Sequence, residues 1–204
     1  MSSSDLFDYD KAFRAEHGIF CGVDEAGRGP LAGDVFAAAV VFDDDVFIDG
    51  LNDSKKLSEK KKEQLFDEIV SKAKAYGIGR ASAAEIDEHN ILQATFIAMR
   101  RALDELKNSS GIAPAAAAVD GNRDPSLEIE TECVVKGDGI SASVAAASVL
   151  AKVSRDRYMS ETAAKYPGYG FEKHKGYPTK LHYEKLRELG ASDIHRKTFL
   201  KKMH

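Results

Sequence analysis

Apolar residues recur along this chain with two different periods, and each predicts its own kind of element. Ile19 to Val23 and Val35 to Phe42 are short apolar runs with β-branched and aromatic residues, bracketed by glycine-containing turns, and they predict neighbouring strands able to form a hairpin. Tyr76 to Ala83 reads as another strand, and Ala115 to Val119 and Cys133 to Val135 as strands of the buried kind. From Ser58 to Ala75 the period lengthens: Leu65, Ile69 and Ala73 recur at four-residue spacing behind Ser58, a suitable N-cap. The Lys60-Lys61-Lys62 run reads as the wet face of that helix. Ile91, Phe96, Met99, Leu103 and Leu106 form a second helical stripe, and Ser141 to about Ala164 is an alanine-rich helix with Val144, Ala147, Leu150 and Ala151 facing inward. Tyr166 to Gly170 is a glycine-punctuated loop, followed by a short helix around Leu181 to Leu189.

Strands first, then strands alternating with helices, predict an α/β fold with a mixed central sheet flanked by helices and a small basic C-terminal helical region. No repeat or low-complexity linker marks a boundary, so residues 1–204 are expected to form one domain, with 166–204 as a basic C-terminal region. Disorder is expected only at the ends.

Composition narrows the class. With 43% hydrophobic residues, 30% charged residues and only 5 prolines among 204, the chain is an ordinary folded one. Its start carries acids where a targeting peptide would carry bases, and no apolar run reaches spanning length, so a cytoplasmic protein without membrane contact is expected. Cys21 and Cys133 both fall in strand-like runs and read as buried free thiols. The net charge of −4 hides a division: residues 1–53 carry 3 Lys/Arg against 12 Asp/Glu, and residues 173–204 carry 9 against 3. An acidic end able to hold cations and a basic end able to hold phosphates fit a nucleic-acid partner, although two differently charged solvated faces would look the same.

Four acids stand where chemistry would need them. Asp24 and Glu25 follow the first strand, Asp120 follows Val119, and Asp138 follows Val134-Val-Lys-Gly137. Carboxylates converging at one rim of a sheet repel one another unless hard divalent cations neutralise them, although acids at strand ends are also common turn residues. Adjacent positions on a strand point to opposite faces, so Asp24 and Glu25 share a site only if the strand ends or bulges there, or if Glu25 contributes its backbone carbonyl. Ala26-Gly-Arg-Gly-Pro-Leu-Ala-Gly33 comes next. Gly27 and Gly29 allow close approach to a sugar or phosphate and Arg28 adds a planar donor, though a plain hairpin turn would also explain the glycines.

Val23-Asp-Glu-Ala-Gly-Arg-Gly-Pro-Leu-Ala-Gly33 resembles the signature of type 2 ribonuclease H, the ribonuclease HII family. Its companions follow in family order: Asn52-Asp-Ser-Lys-Lys-Leu57, Val119-Asp-Gly121, Lys136-Gly-Asp138, Ala145 to Arg157, and His174-Lys-Gly-Tyr177. The resemblance runs from about residue 18 to His195-Arg-Lys-Thr-Phe199, nearly the whole chain. It implies the ribonuclease H-like fold and an endonuclease that cuts the RNA strand of RNA/DNA hybrids and incises at ribonucleotides within duplex DNA. It also implies Asp24, Glu25, Asp120 and Asp138 as catalytic, metal-binding carboxylates for two Mg²⁺ or Mn²⁺ ions about 3.5–4 Å apart. Gly27, Arg28 and Gly29 would read the 2′-OH and Tyr177 the RNA-to-DNA step, with Lys55, Ser148 and Lys152 as further substrate contacts. A monomer is expected. Only 23 residues precede Asp24, which speaks against type 3, and no clamp-binding peptide is evident before His204, which speaks against recruitment by a sliding clamp. Asp156, flanked by arginines, reads as salt-bridged, and His174, His182 and His195 as surface or phosphate-contact residues. Tyr166 and Tyr169 read as loop packing. A non-catalytic hybrid-binding protein and a phosphatase acting on small esters are the alternatives. The first would not need convergent acids and the second would not need Tyr177.

Overall fold

The computed structural model describes residues 2–51 and 58–201. In chain order the elements are α1 (Ser3–His17), β1 (Phe20–Ala26), β2 (Val35–Val41), α2 (Glu59–Lys72), β3 (Ala75–Ala81), α3 (Ala83–Ser110), β4 (Ala116–Asp120) and β5 (Glu130–Val134). A 3₁₀ turn at Gly137–Gly139 then leads into α4 (Ala142–Lys165), α5 (Phe171–His174), α6 (Lys180–Leu189) and α7 (Lys197–Leu200). The five strands form one sheet in the order β3-β2-β1-β4-β5. β1 and β2 are an antiparallel hairpin extended by β3, while β4 and β5 add in parallel, so the sheet is mixed as the alternation of elements predicts.

Strand alternation assigns the two faces. Ala38 and Val40 face α1, α2 and α4, whereas Ala37, Ala39 and Val41 face α3, together with Cys21 and Val23 of β1 and Ala117 and Val119 of β4. β2 is buried along its whole length, which explains its uninterrupted apolar run. Small residues set how closely the helices sit. A Cβ on Gly22 would lie 2.2 Å from the Ser143 carbonyl carbon, so α4 crosses β1 in backbone contact. Gly77 and Gly79 do the same for α3 against β3.

Helix ends follow local chemistry. Ser58 caps α2 through the Lys61 amide, and Leu65 and Ile69 are its buried stripe. α3 begins earlier than its stripe implies, at a Ser82–Glu85 capping box. It is interrupted at Asn90 (φ 68°), whose side chain accepts from the Leu92 and Gln93 amides and starts the second half, so the expected beginning at Ile91 marks a real internal cap. The N-terminus departs from expectation. Residues 3–17 are a helix, and Asp10 of α1, 3% exposed, accepts from the Ser141 hydroxyl (2.6 Å), the Ser143 hydroxyl (2.6 Å) and the Ser143 amide (2.8 Å) at the start of α4. This buried carboxylate fixes α1 across the helix whose first turn it caps. Burial raises its pKa while these three bonds oppose the shift.

Asp10→Ala should therefore lower stability by about 2–3 kcal/mol, the scale of a lost cap together with unpaired buried donors. Urea unfolding of the two proteins measures this, and an unchanged midpoint would contradict the role given to Asp10.

Candidate active site

Parallel pairing of β1 with β4 matches Val23 to Val119, so the next residue on each strand, Asp24 and Asp120, stands side by side on the face covered by α4. β4 stops at Asp120 while β1 continues to Ala26. At Glu25 the strand is therefore a bare edge on that side, and Glu25 borders the same cleft as Asp24 despite strand alternation. β1 neither ends nor bulges at Glu25, which stays in register with Ala37 of β2. The cleft, about 260 Å³, is lined by Asp24, Glu25, Ala26, Gly27, Arg28, Lys62, Asp120, Ser148, Lys152 and Tyr177.

Electrostatics mark Asp24 as the centre. It is 4% exposed, and burial together with the charges of Glu25 and Asp120 pushes its pKa well above the ordinary carboxylate value. The Ser148 hydroxyl and the Glu25 amide (2.7 Å) hydrogen-bond to it and act in the opposite direction. Glu25 also accepts from Arg28 at 3.2 Å. Asp120 is oriented by the Gly137 amide, which donates to its Oδ1 at 2.7 Å. Asp138 is the next residue, buried in the 3₁₀ turn beside this anchor, and it is not part of the cleft lining. Every carboxylate of the cleft is an oxygen donor with like-charged neighbours, and among the described residues no His or Cys lines it, which suits hard divalent cations and not zinc. Among the described residues, no three His, Cys, Asp or Glu side chains are gathered tightly enough to hold an ion as they stand.

Around the acids lie the other expected contacts. Ser148 and Lys152, one turn apart on α4, both face the cleft. Lys152 is 2.7 Å from Asp156, so Asp156 is salt-bridged as expected, but to this lysine; of its flanking arginines, Arg157 pairs with Glu63 and Arg155 is fully buried. Tyr177 is half-buried, with Lys152 Nζ and the Arg155 guanidinium carbon each 5.5 Å from its ring centroid. Lys55 and the Asn52–Leu57 segment lie outside the described residues. Lys62, read from sequence as wet helix face, lines the cleft. Helical periodicity around Leu65 and Ile69 shows which way the apolar stripe of α2 points but not what stands opposite its polar side.

The histidines are not surface groups. His182 is 0% exposed, His195 1% and His174 7%. Backbone amides must donate, so the Ser192 N–H fixes His195 Nδ1 as an acceptor (2.9 Å). His195 Nε2–H then donates to His182 Nε2 (3.1 Å), and His182 Nδ1–H donates to the Tyr177 carbonyl (2.9 Å). Burial, followed by the neighbouring histidines, pushes the His195 pKa down to about 4, and burial lowers His182 as well. The pair is thus neutral at pH 7 and braces the backbone of Tyr177. Sequence offered no sign of this, since three histidines spaced 8 and 13 apart meet only through the fold of the C-terminal region.

A mixed sheet of this order, with Asp24 and Asp120 side by side where β4 ends against β1, defines a protein of the ribonuclease H-like class. A family model described as Ribonuclease HII matches residues 21–204. A protein named ribonuclease HII from Shewanella sp. (strain W3-18-1) is 57% identical over 187 residues, covering 89% of this chain and 88% of the relative. The chain belongs to the ribonuclease HII family. Among solved structures, ribonuclease H2 from Pyrococcus horikoshii OT3 is similar with a TM-score of 0.71 and 29% identity, covering 88% of this chain and 93% of that one. Ribonuclease HII of Archaeoglobus fulgidus, solved as a complex with PCNA, is similar with a TM-score of 0.69 and 25% identity over 87% and 93%.

Asp24 yields a prediction about stability. Its folded pKa lies above its unfolded value, so ionising it penalises the folded state, and metal-free stability falls as pH rises from about 4 through the raised pKa. Asp24→Asn removes that penalty and should be more stable than wild type at pH 7 in EDTA, with the difference vanishing toward pH 3. Thermal melts across this range test it, and a variant less stable than wild type at pH 7 would refute the assignment of repulsion.

Proposed function

We propose that the chain is a metal-dependent endonuclease that hydrolyses the RNA strand of RNA/DNA hybrids and incises at ribonucleotides embedded in duplex DNA, leaving 5′-phosphate and 3′-hydroxyl ends. The observation that carries this reading is the side-by-side placement of Asp24 and Asp120, with Glu25, on a cleft whose other walls are the Gly27–Arg28 turn and Tyr177. Mg²⁺ or Mn²⁺ bound there would supply an activated water and stabilise the leaving 3′ oxygen. Asp24, Glu25, Asp120 and Asp138 hold the ions, Asp138 joining from the turn whose Gly137 amide anchors Asp120.

The remaining residues bind and orient. Backbone groups of Gly27-Arg28-Gly29 read the 2′-OH, the feature that separates RNA from DNA, and Arg28 meets a phosphate. Ser148 and Lys152 contact a phosphate beside the acids, and Lys55 adds another contact. Tyr177 packs on the sugar 3′ of the ribonucleotide. Exposed bases of the 166–204 region, including Lys173, Lys180 and Lys197, track the duplex backbone, which makes this region the substrate-binding part of a single domain. The enzyme acts as a cytoplasmic monomer.

Asp24→Asn, Asp120→Asn and Asp138→Asn should each lower cleavage of a duplex containing one ribonucleotide by roughly a hundredfold or more, the scale of losing one preorganised electrostatic group. The cut position and end chemistry are read on the same gel, and full activity in any variant removes that residue from the set.

Tyr177→Ala should lose more kcat/KM on a single embedded ribonucleotide than on a continuous hybrid, where neighbouring 2′-OH groups offer other registers, and Tyr177→Phe should lose little on either. Equal losses on both substrates for Tyr177→Ala would make the ring a packing residue.

A further inference from the structure

The turn that follows the acids is gripped from below by two arginines, each 0% exposed. Arg155 donates to the carbonyls of Asp34 (3.0 Å), Ala32 (3.2 Å) and Lys175 (3.1 Å). Arg196 donates to those of Gly27 (2.6 Å), Arg28 (3.0 Å) and Gly33 (2.8 and 2.9 Å). A guanidinium is the one side chain whose planar fork reaches three carbonyls at once. Its burial is costly, and burial together with the neighbouring Arg155 pushes the Arg196 pKa down to about 9, still above neutrality. A surface basic residue would have carried none of that cost, so Arg196 does not belong with the phosphate-binding bases among which its sequence position places it.

What this grip does follows from peptide geometry. All peptide bonds here are trans, so each C=O and the following N–H point in opposite directions. Turning the Gly27 carbonyl inward turns the Arg28 N–H outward, and turning the Arg28 carbonyl inward turns the Gly29 N–H outward. Arg28 and Gly29 are themselves exposed, and none of the hydrogen bonds among the described residues that order this segment uses either amide. Both peptide groups adjoin a glycine, the residue that best tolerates a flipped peptide. Unrestrained, they could present carbonyl oxygens to the cleft, which would repel a phosphate and could only accept from a hydroxyl.

We infer that Arg196 is a positioning residue for ribonucleotide recognition, holding the Gly27 and Arg28 carbonyls inward so that the Arg28 and Gly29 N–H groups face a sugar hydroxyl or phosphate oxygen in the cleft. This rests on reading the cleft as the ribonucleotide site. The glycines that let the backbone approach a substrate leave its peptide directions open, and Arg196 closes that freedom. Lysine at this position keeps the charge and most of the stem but has a single nitrogen that cannot span the three carbonyls.

The test compares two duplexes identical except for one ribonucleotide, with binding measured in EDTA by fluorescence anisotropy for the full-length wild type, Arg196→Lys and Arg196→Ala. Wild type should prefer the ribonucleotide duplex. In Arg196→Lys that preference should shrink by about five- to tenfold, the worth of one or two hydrogen bonds. Affinity for the all-DNA duplex should stay within about threefold, because its phosphate contacts are untouched. Low-millimolar guanidinium should restore the preference in Arg196→Ala, and ammonium at the same concentration should not. A purely structural role reduces the active fraction for both duplexes alike, so an unchanged preference in Arg196→Lys overturns the inference while leaving the cleft reading intact. A wild type without any preference overturns the cleft reading itself. Loss of the folded circular dichroism signature in both variants would assign Arg196 to the fold and overturn the inference as well.

Discussion

The close seating of α4 on β1 is the contact on which the rest of the site depends. At Gly22 the helix meets the strand backbone to backbone, and even a methyl group there would drive into the peptide joining Ser143 and Val144. From that crossing α4 runs along the end of the strand. Ser148 meets Asp24, Lys152 enters the cleft, and Arg155 passes under the Gly27–Asp34 turn, about one helical turn apart in each step. Gly27 (φ 97°) lacks the Cβ that would lie 2.1 Å from Arg155 Nε, so the same helix depends on a second glycine to reach the loop. Asp10 of α1 fixes the start of α4.

Charge in this molecule is sorted by depth as well as by position. The carboxylates of Asp24, Glu25 and Asp120 are crowded into a part-buried cleft where their repulsion is felt, an arrangement that favours cations. Lys62, Lys152 and Arg28 stand at its border. Arg155 and Arg196 lie beneath it, with their charge spread over backbone carbonyls. The C-terminal region is therefore more than a basic surface. It contributes a buried cation to the turn, a neutral histidine pair to the backbone of Tyr177, and the Gly176 and Ile194 carbonyls that receive the Leu31 and Gly33 amides.

The sequence alone determined most of the strands and helices and the type of chemistry. Hydrophobic period depends on neighbours a few residues apart, and so β1, β2, α2, the second half of α3 and α4 were legible, as was the family through its ordered motifs. It also placed Asp120 at a strand end, whereas Asp24 and Glu25 lie within β1 and Asp138 in the turn beyond β5. Other facts depended on contacts between distant residues and had no local trace. The order β3-β2-β1-β4-β5 and the register that sets Asp24 beside Asp120 arise from pairing across some hundred residues. The α1 helix is tied down by Asp10 through serines more than 130 positions away. Arg196 and the histidines looked like surface charge because a residue's type reports its usual environment, whereas only tertiary structure can surround a guanidinium with carbonyls or pair two imidazoles in the interior.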